Sequence, residues 1–256
     1  MSTFIKYFNR FKMFVIFPLM HVVVLYGIFT HEYWYLVLTA GILMFYPILY
    51  LGESLGYHRM FGHKAFKPKT WYPYLSVFLG SISFYGDPLR AALVHRLHHK
   101  HVDTDLDPHS PKHGRFHAYI GWLYSYTPQP NDLYIIMDLM KTYRWLTTYS
   151  KFEWLVFTTF HISMFLISPT LFLIIMIACL LAVNNGLLVN AYSHEPTDNG
   201  WVSTDKIWLS KYINPTFLHK QHHAVAGKWD YSDGEVVDFT RWIVKNWLAE
   251  DSTRLK

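Results

Sequence analysis

Cysteine is almost absent: Cys179 stands alone, inside an apolar run. One thiol excludes a disulfide scaffold, a zinc ribbon and a four-cysteine iron–sulfur site. Charge is scarce as well, at 16% of 256 residues, against 52% hydrophobic and 19% aromatic. An ordinary soluble domain carries more charge, and a bare membrane bundle carries fewer polar stretches than this chain does. The balance points to a membrane anchor with a polar cap. A dense basic run is also missing. The formal net charge of +5 comes from Lys and Arg scattered among aromatics. That distribution argues against nucleic acid and suits the flanks of membrane segments. The first apolar run lacks a small-x-small cleavage site, so it reads as a retained span rather than a signal peptide.

What is present is four apolar runs, at about 14–29, 34–51, 152–167 and 171–189, each near the ~20 residues that cross a bilayer. They pair as two hairpins. The joining turns, Thr30-His31-Glu32 and Ser168-Pro169-Thr170, hold no Lys or Arg, whereas 52–150 and 191–256 hold many. By the positive-inside tendency both termini and both long polar regions are cytoplasmic. The expected fold is therefore an all-α, multi-pass integral membrane protein. It is one domain, 1–256, with four transmembrane helices and a cytoplasmic helical cap made of 52–150 and 191–256. The stretch 71–85 is apolar but short, and broken by Pro73 and Gly80, so it reads as a shallowly buried helix. Residues 1–12, with Lys6, Arg10 and Lys12, read as a basic lead-in at the interface.

The chain holds 16 histidines, and their spacing carries the functional signal. His95, His98 and His99 stand at i, i+3 and i+4 and share a helix face. His219, His222 and His223 repeat the pattern. His58 and His63 are five apart, about 140° on an ideal α-helix, so they are expected on different faces, with Gly62 allowing a bend. Asn190 and His194, at i and i+4, close the last apolar run. Nine such histidines exceed the five or six donors of one first-row ion, so two metals are expected. Imidazole suits iron, zinc and copper. Neither Glu-x-x-His nor His-Glu-x-x-His occurs, which excludes the carboxylate-rich di-iron bundle and the zincin pattern. What remains is a histidine-rich di-iron site at the cytoplasmic ends of the spans. Asp103, Asp105 and Asp107 are expected to orient ring N–H groups rather than to form a calcium loop. His101, His109, His113 and His117 read as supporting or surface groups, and His21 and His161 as hydrogen-bonding groups inside the bundle.

The order H-x4-H, H-x-x-H-H, N-x3-H, H-x-x-H-H resembles the membrane fatty acid desaturases of the delta-9, stearoyl-CoA-desaturase-like type. Gly56-Tyr57-His58-Arg59, Phe61 to Phe66, the run from His95 to His101, Asp107 to Lys112 and Gly121-Trp122 carry the likeness, which covers roughly 14–250. The resemblance implies that His58, His63, His95, His98, His99, His194, His219, His222 and His223 hold two ferrous ions, with Asn190 reaching one through a water. The chain departs from the family where Pro215-Thr216-Phe217 replace a Gly-Glu-Gly, where Ala91 replaces a Trp, and where Leu93-Val94 replace the Arg-Asp of animal acyl-CoA enzymes. These departures bear on ring support, CoA recognition and the acyl passage, not on the ligands.

The expected activity is O₂-dependent desaturation, placing a cis double bond, at delta-9 by the resemblance, in a saturated acyl chain. The acyl carrier is CoA or a lipid. The electron donor is expected to be a separate ferredoxin-like or cytochrome b5-like protein, drawn to a basic cytoplasmic face. Two rivals stand beside this reading. A related di-iron hydroxylase or ketolase would use a similar ligand set, and only the product separates the two. A membrane metal carrier would place its ligands within the spans.

Overall fold

The computed structural model describes residues 11–255, so most of the basic lead-in, 1–10, lies outside the described residues. Helices follow the apolar runs and stop where turn chemistry ends them. α1 (Lys12–Thr30) and α2 (Trp34–Gly62) are joined by a turn in which His31 Nδ1 accepts from the Tyr33 amide. α3 (Tyr72–Ile82) follows, then α4 (Pro88–His101), whose first turn is fixed by Pro88 and by Asp87 accepting from the Leu89 amide. α5 (Met137–Thr142) leads into α6 (Trp145–Ile167). Ser168 caps α7 (Pro169–Tyr192) by accepting from the Leu171 amide. Beyond α7 come a hairpin of β1 (His194–Thr197) and β2 (Gly200–Ser203), then α8 (Ile207–Tyr212), α9 (His219–Ala224) and α10 (Thr240–Ile243), with shorter helical turns between.

α1, α2 and α7 are long and apolar enough to cross a membrane. α6 contains the third of the four expected runs and is as long, 23 residues, but Lys151, Glu153 and four threonines make it less apolar. α7 is the axial helix and packs against α1, α2 and α6. Contact with α2 is close: a Cβ on Gly41 would stand 2.6 Å from the Ile177 side chain. The outer faces expose Leu19, Val22, Phe29, Leu36, Leu43 and Leu166. An apolar girdle of that extent needs a lipid or protein partner.

Three expectations change. The cap is not wholly helical, because Pro196 stops helix propagation and Asp198-Asn199 make a two-residue turn closed by Gly200 at φ +120°. α2 does not stop at 51 but runs to Gly62, its last part wound with i→i+5 hydrogen bonds, among them His63 N–H to His58 C=O at 3.0 Å. Lys12 is not interfacial. It is buried and pairs with Glu153 at 3.0 Å.

The cap is tied to the helix ends by polar contacts. Tyr50 Oη donates to the Ile213 carbonyl at 2.6 Å, Ser54 bonds Thr216 at 3.0 Å, and Asn214 donates to Asn185 of α7 at 2.8 Å. α3 and α4 pack on the last turns of α2. All the histidine clusters therefore gather at one end of the bundle.

Candidate metal centre

The wide winding of α2 has a direct consequence for His58 and His63. A turn of i→i+5 bonds brings residues five apart back toward one side. The two rings meet, with Nε2 atoms 3.2 Å apart, rather than diverging as on an ideal α-helix. Gly62 adds the clearance, since a Cβ there would stand 2.9 Å from His95 Cδ2.

α4 presents His95, His98 and His99 on one face as expected, but the three rings serve two groups. His58, His63, His95 and His222 form one, and His98, His194, His219 and His223 form the other, each with candidate ligand atoms within 4.8 Å of one another. His99 sits between them, near His222 and His223. α9 divides in the same way, sending His222 to the first group and His219 and His223 to the second. His194 arrives from β1, just past the end of α7, not from the helix that carries Asn190. Asn190 faces the adjoining cavity from the last turn of α7.

The rings aim their nitrogens at one another. Nε2 atoms are paired at 2.7 Å for His95 and His63, 2.5 Å for His99 and His222, 3.2 Å for His98 and His223, and 2.9 Å for His194 and His219. Burial, reinforced by neighbouring rings, holds His95, His98, His219 and His222 well below the usual imidazole range, and His99 at about 4. Neutral rings present lone pairs, which is the state a metal binds. With metal–nitrogen bonds of about 2.1 Å, adjacent ligands sit about 3 Å apart and opposite ones about 4.2 Å apart. The spacings of 2.7–3.2 Å lie near the adjacent-ligand distance, so each four-histidine group could hold a transition-metal ion.

Carboxylates hold two rings from behind. Asp107 Oδ2 accepts from His98 Nδ1 at 2.9 Å, and Asp103 Oδ2 accepts from His194 Nδ1 at 3.0 Å. Each contact fixes the tautomer that frees Nε2. Asp103 takes φ +58° to do so, a conformation aspartate tolerates better than most residues. Asp105 does not join them, being exposed and paired with Lys112. His219 Nδ1 and His222 Nδ1 are buried with no partner among the described residues, so Pro215-Thr216-Phe217 supply no carboxylate behind them. Asp107→Ala is expected to weaken metal affinity about 10- to 100-fold, read by competition with a chelator. Unchanged affinity would show that the Asp107–His98 contact is incidental.

Sequence spacing did not reveal Tyr231. It is fully buried and stacks on His222, with centroids 5.6 Å apart at 15°. The Arg59 guanidinium also lies over the Tyr231 ring, 3.9 Å from its centroid. His109 is closer to the centre than a surface group, 4.3 Å from the His98 ring. His113 is exposed and stands apart. A cavity of about 870 Å³ opens onto both groups, reaching His58, His95, His98, His219 and His222. Its walls are mostly apolar, including Val94, Trp122, Val183 and Leu187.

No protein-family model matches the chain. Curated proteins do. The chain is similar to an sn-1 stearoyl-lipid 9-desaturase of Anabaena variabilis, 26% identical over 80% of this chain and 78% of that protein. An acyl-CoA Delta(11) desaturase of Trichoplusia ni is 24% identical over 93% and 76%. A Delta-9 acyl-lipid desaturase of Arabidopsis thaliana is 38% identical, over 32% of this chain and 26% of that one.

Proposed function

We propose that this chain, a homologue of curated fatty acid desaturases, is itself an O₂-dependent acyl desaturase with a histidine-held di-iron centre. The observation that carries the reading is the apolar cavity ending on both histidine groups. An unactivated methylene offers no polar handle, so a narrow apolar wall must hold it against the reactive centre. His58, His63, His95, His98, His99, His194, His219, His222 and His223 would hold two ferrous ions, with Asn190 acting through water. Bound there, the irons would supply O₂ activation.

The chain's own residues do the rest. Asp103 and Asp107 keep His194 and His98 in the metal-binding tautomer. Val94, Trp122, Val183 and Leu187 exclude water and align one C–C bond. The reaction removes two hydrogens with their electrons from adjacent carbons. Two electrons from a separate donor protein and two protons complete the reduction of O₂ to two waters. The cis double bond is placed at delta-9, the position named for some of the relatives, while others are named for Delta(11). The remaining architecture in this proposal is one domain over 1–256, with α6 as a fourth span and the cap and both termini cytoplasmic.

The histidines lie at the span ends beside a cavity, not across the spans, which disfavours a metal carrier. A hydroxylase or ketolase shares every feature except the product. The test is the fatty-acid profile of a desaturase-deficient host expressing this chain beside one expressing His98→Ala. A new cis-monounsaturated acid in the first alone is expected. A hydroxy or keto acid would move the assignment to the rival oxygenases.

A further inference from the structure

Most buried or half-buried cations near the site have a bonded counter-charge. Lys12 pairs with Glu153 at 3.0 Å, Arg59 with Asp238 at 2.6 Å, and Arg96 with Asp138 at 2.7 Å. Arg90 on α4 differs. It is half-buried and lines the cavity. Among the described residues no hydrogen bond or ion pair holds its guanidinium, which lies over the Trp122 ring, 5.8 Å from the centroid. Asp87 attracts Arg90 electrostatically but makes no direct ion pair with it, and its Oδ1 accepts from the Leu89 amide and the Ser150 hydroxyl.

The position is as informative as the missing partner. Arg90, Val94 and His98 stand at i, i+4 and i+8, one face of α4, and all three line the cavity. At 1.5 Å of rise per residue, Arg90 precedes His95 by about 7.5 Å and His98 by about 12 Å along the helix. The exposed wall residues Thr127, Gln129, Pro130 and Lys151 mark the mouth, and the histidines mark the inner end. Arg90 stands between them. A partly desolvated guanidinium with no directly bonded anion has unused donors, and its fork matches a carboxylate or a phosphate.

We infer that Arg90 is a head-group anchor, binding an oxyanion at the head of the acyl substrate and setting how far from that head the bond facing the histidines lies. The inference rests on the acyl-desaturase reading. An anchor inside the passage, about 7.5–12 Å of helix from the rings, directs the reaction to the middle of a chain rather than to its tip.

Binding to the metal-loaded protein in neutral detergent, with no electron donor added, tests this without turnover. The probes are palmitate, palmitoyl-CoA, a saturated phosphatidic acid and the uncharged hexadecanol. Arg90→Gln and Arg90→Met, the latter keeping an unbranched stem over Trp122, should each weaken an oxyanion-bearing probe about tenfold or more. Both should leave hexadecanol binding unchanged, and Arg90→Lys should lie between. Loss confined to palmitate, palmitoyl-CoA or phosphatidic acid assigns the anion to a carboxylate, a carrier phosphate or a lipid phosphate respectively. In wild type, the advantage of the bound anion over hexadecanol should shrink with salt, a result that needs no variant. Equal affinities in wild type and variants, with hexadecanol bound by all, would overturn the role of Arg90 alone. Equal losses for hexadecanol and the anions would overturn it too, because packing rather than charge would then be at work. Failure of wild type to bind any probe would overturn the acyl reading itself.

Discussion

Alanine at His222 is expected to abolish product formation and to lower iron from two per chain to one or fewer. His222 links the first four-histidine group to His99, the ring that sits between the two groups. It belongs to the group with His58, His63 and His95, and also to the group with His99 and His223. Its Nε2 stands 2.5 Å from that of His99. On the di-iron reading, removing it takes a ligand from one metal position, and it leaves His99 without the nitrogen that stands against its own. It also removes the ring on which Tyr231 stacks. Ligands act as a set, so loss of one is not a small increment. His113→Ala is the matched control. That ring is exposed and, among the described residues, reaches only His117 and Asp105, so iron and product should stay at wild-type levels. The measurement is iron per chain after iron-replete expression, beside the fatty-acid profile. Two irons retained in His222→Ala would remove His222 from the ligand set.

The histidine spacing made much of this centre legible. The i, i+3, i+4 pattern depends only on helix geometry, and α4 and α9 are helices. His58 and His63 were harder, because ideal α-helical geometry separates them, and the i→i+5 winding that reunites them is not marked in the local sequence. His194 was found through a helical spacing to Asn190, yet α7 ends at Tyr192 and the ring arrives from a strand. Pro196 and the Asp198-Asn199-Gly200 turn carried that signal, and the run of apolar residues before it obscured it. Asp103 and Asp107 were legible as ring supports from their place after the second cluster. Tyr231 and Arg90 were not, since neither lies at a diagnostic spacing and only the tertiary fold brings them to the site. The apolar runs located the long helices but not their ends. α2 and α6 continue past the hydrophobic stretch because cap packing stabilises the extra turns.

Asp238→Ala is expected to cost about 3–5 kcal/mol of stability, among the largest effects for one side chain away from the ligands. Arg59 and Asp238 are each fully buried and meet at 2.6 Å. Asp238 also accepts from the Tyr231 amide at 3.1 Å and the Thr240 hydroxyl at 2.6 Å, so it organises the whole 229–240 segment. Arg59 donates further to the Trp229 carbonyl at 2.7 Å, but its Nε and second terminal nitrogen find no acceptor among the described residues. An arginine so poorly satisfied depends heavily on its one carboxylate. Removing that carboxylate leaves a buried, uncompensated charge beside His58. Replacing both partners with apolar groups, Arg59→Met with Asp238→Leu, removes the orphan charge and should recover much of the loss, because the desolvation cost disappears with the pair. Reversible unfolding in detergent checks the ordering: wild type and the double variant near each other, Asp238→Ala well below both. A double variant as unstable as Asp238→Ala would place the stabilisation in the 229–240 backbone contacts instead. Iron binding should then follow Tyr231, since the same segment holds that ring over His222.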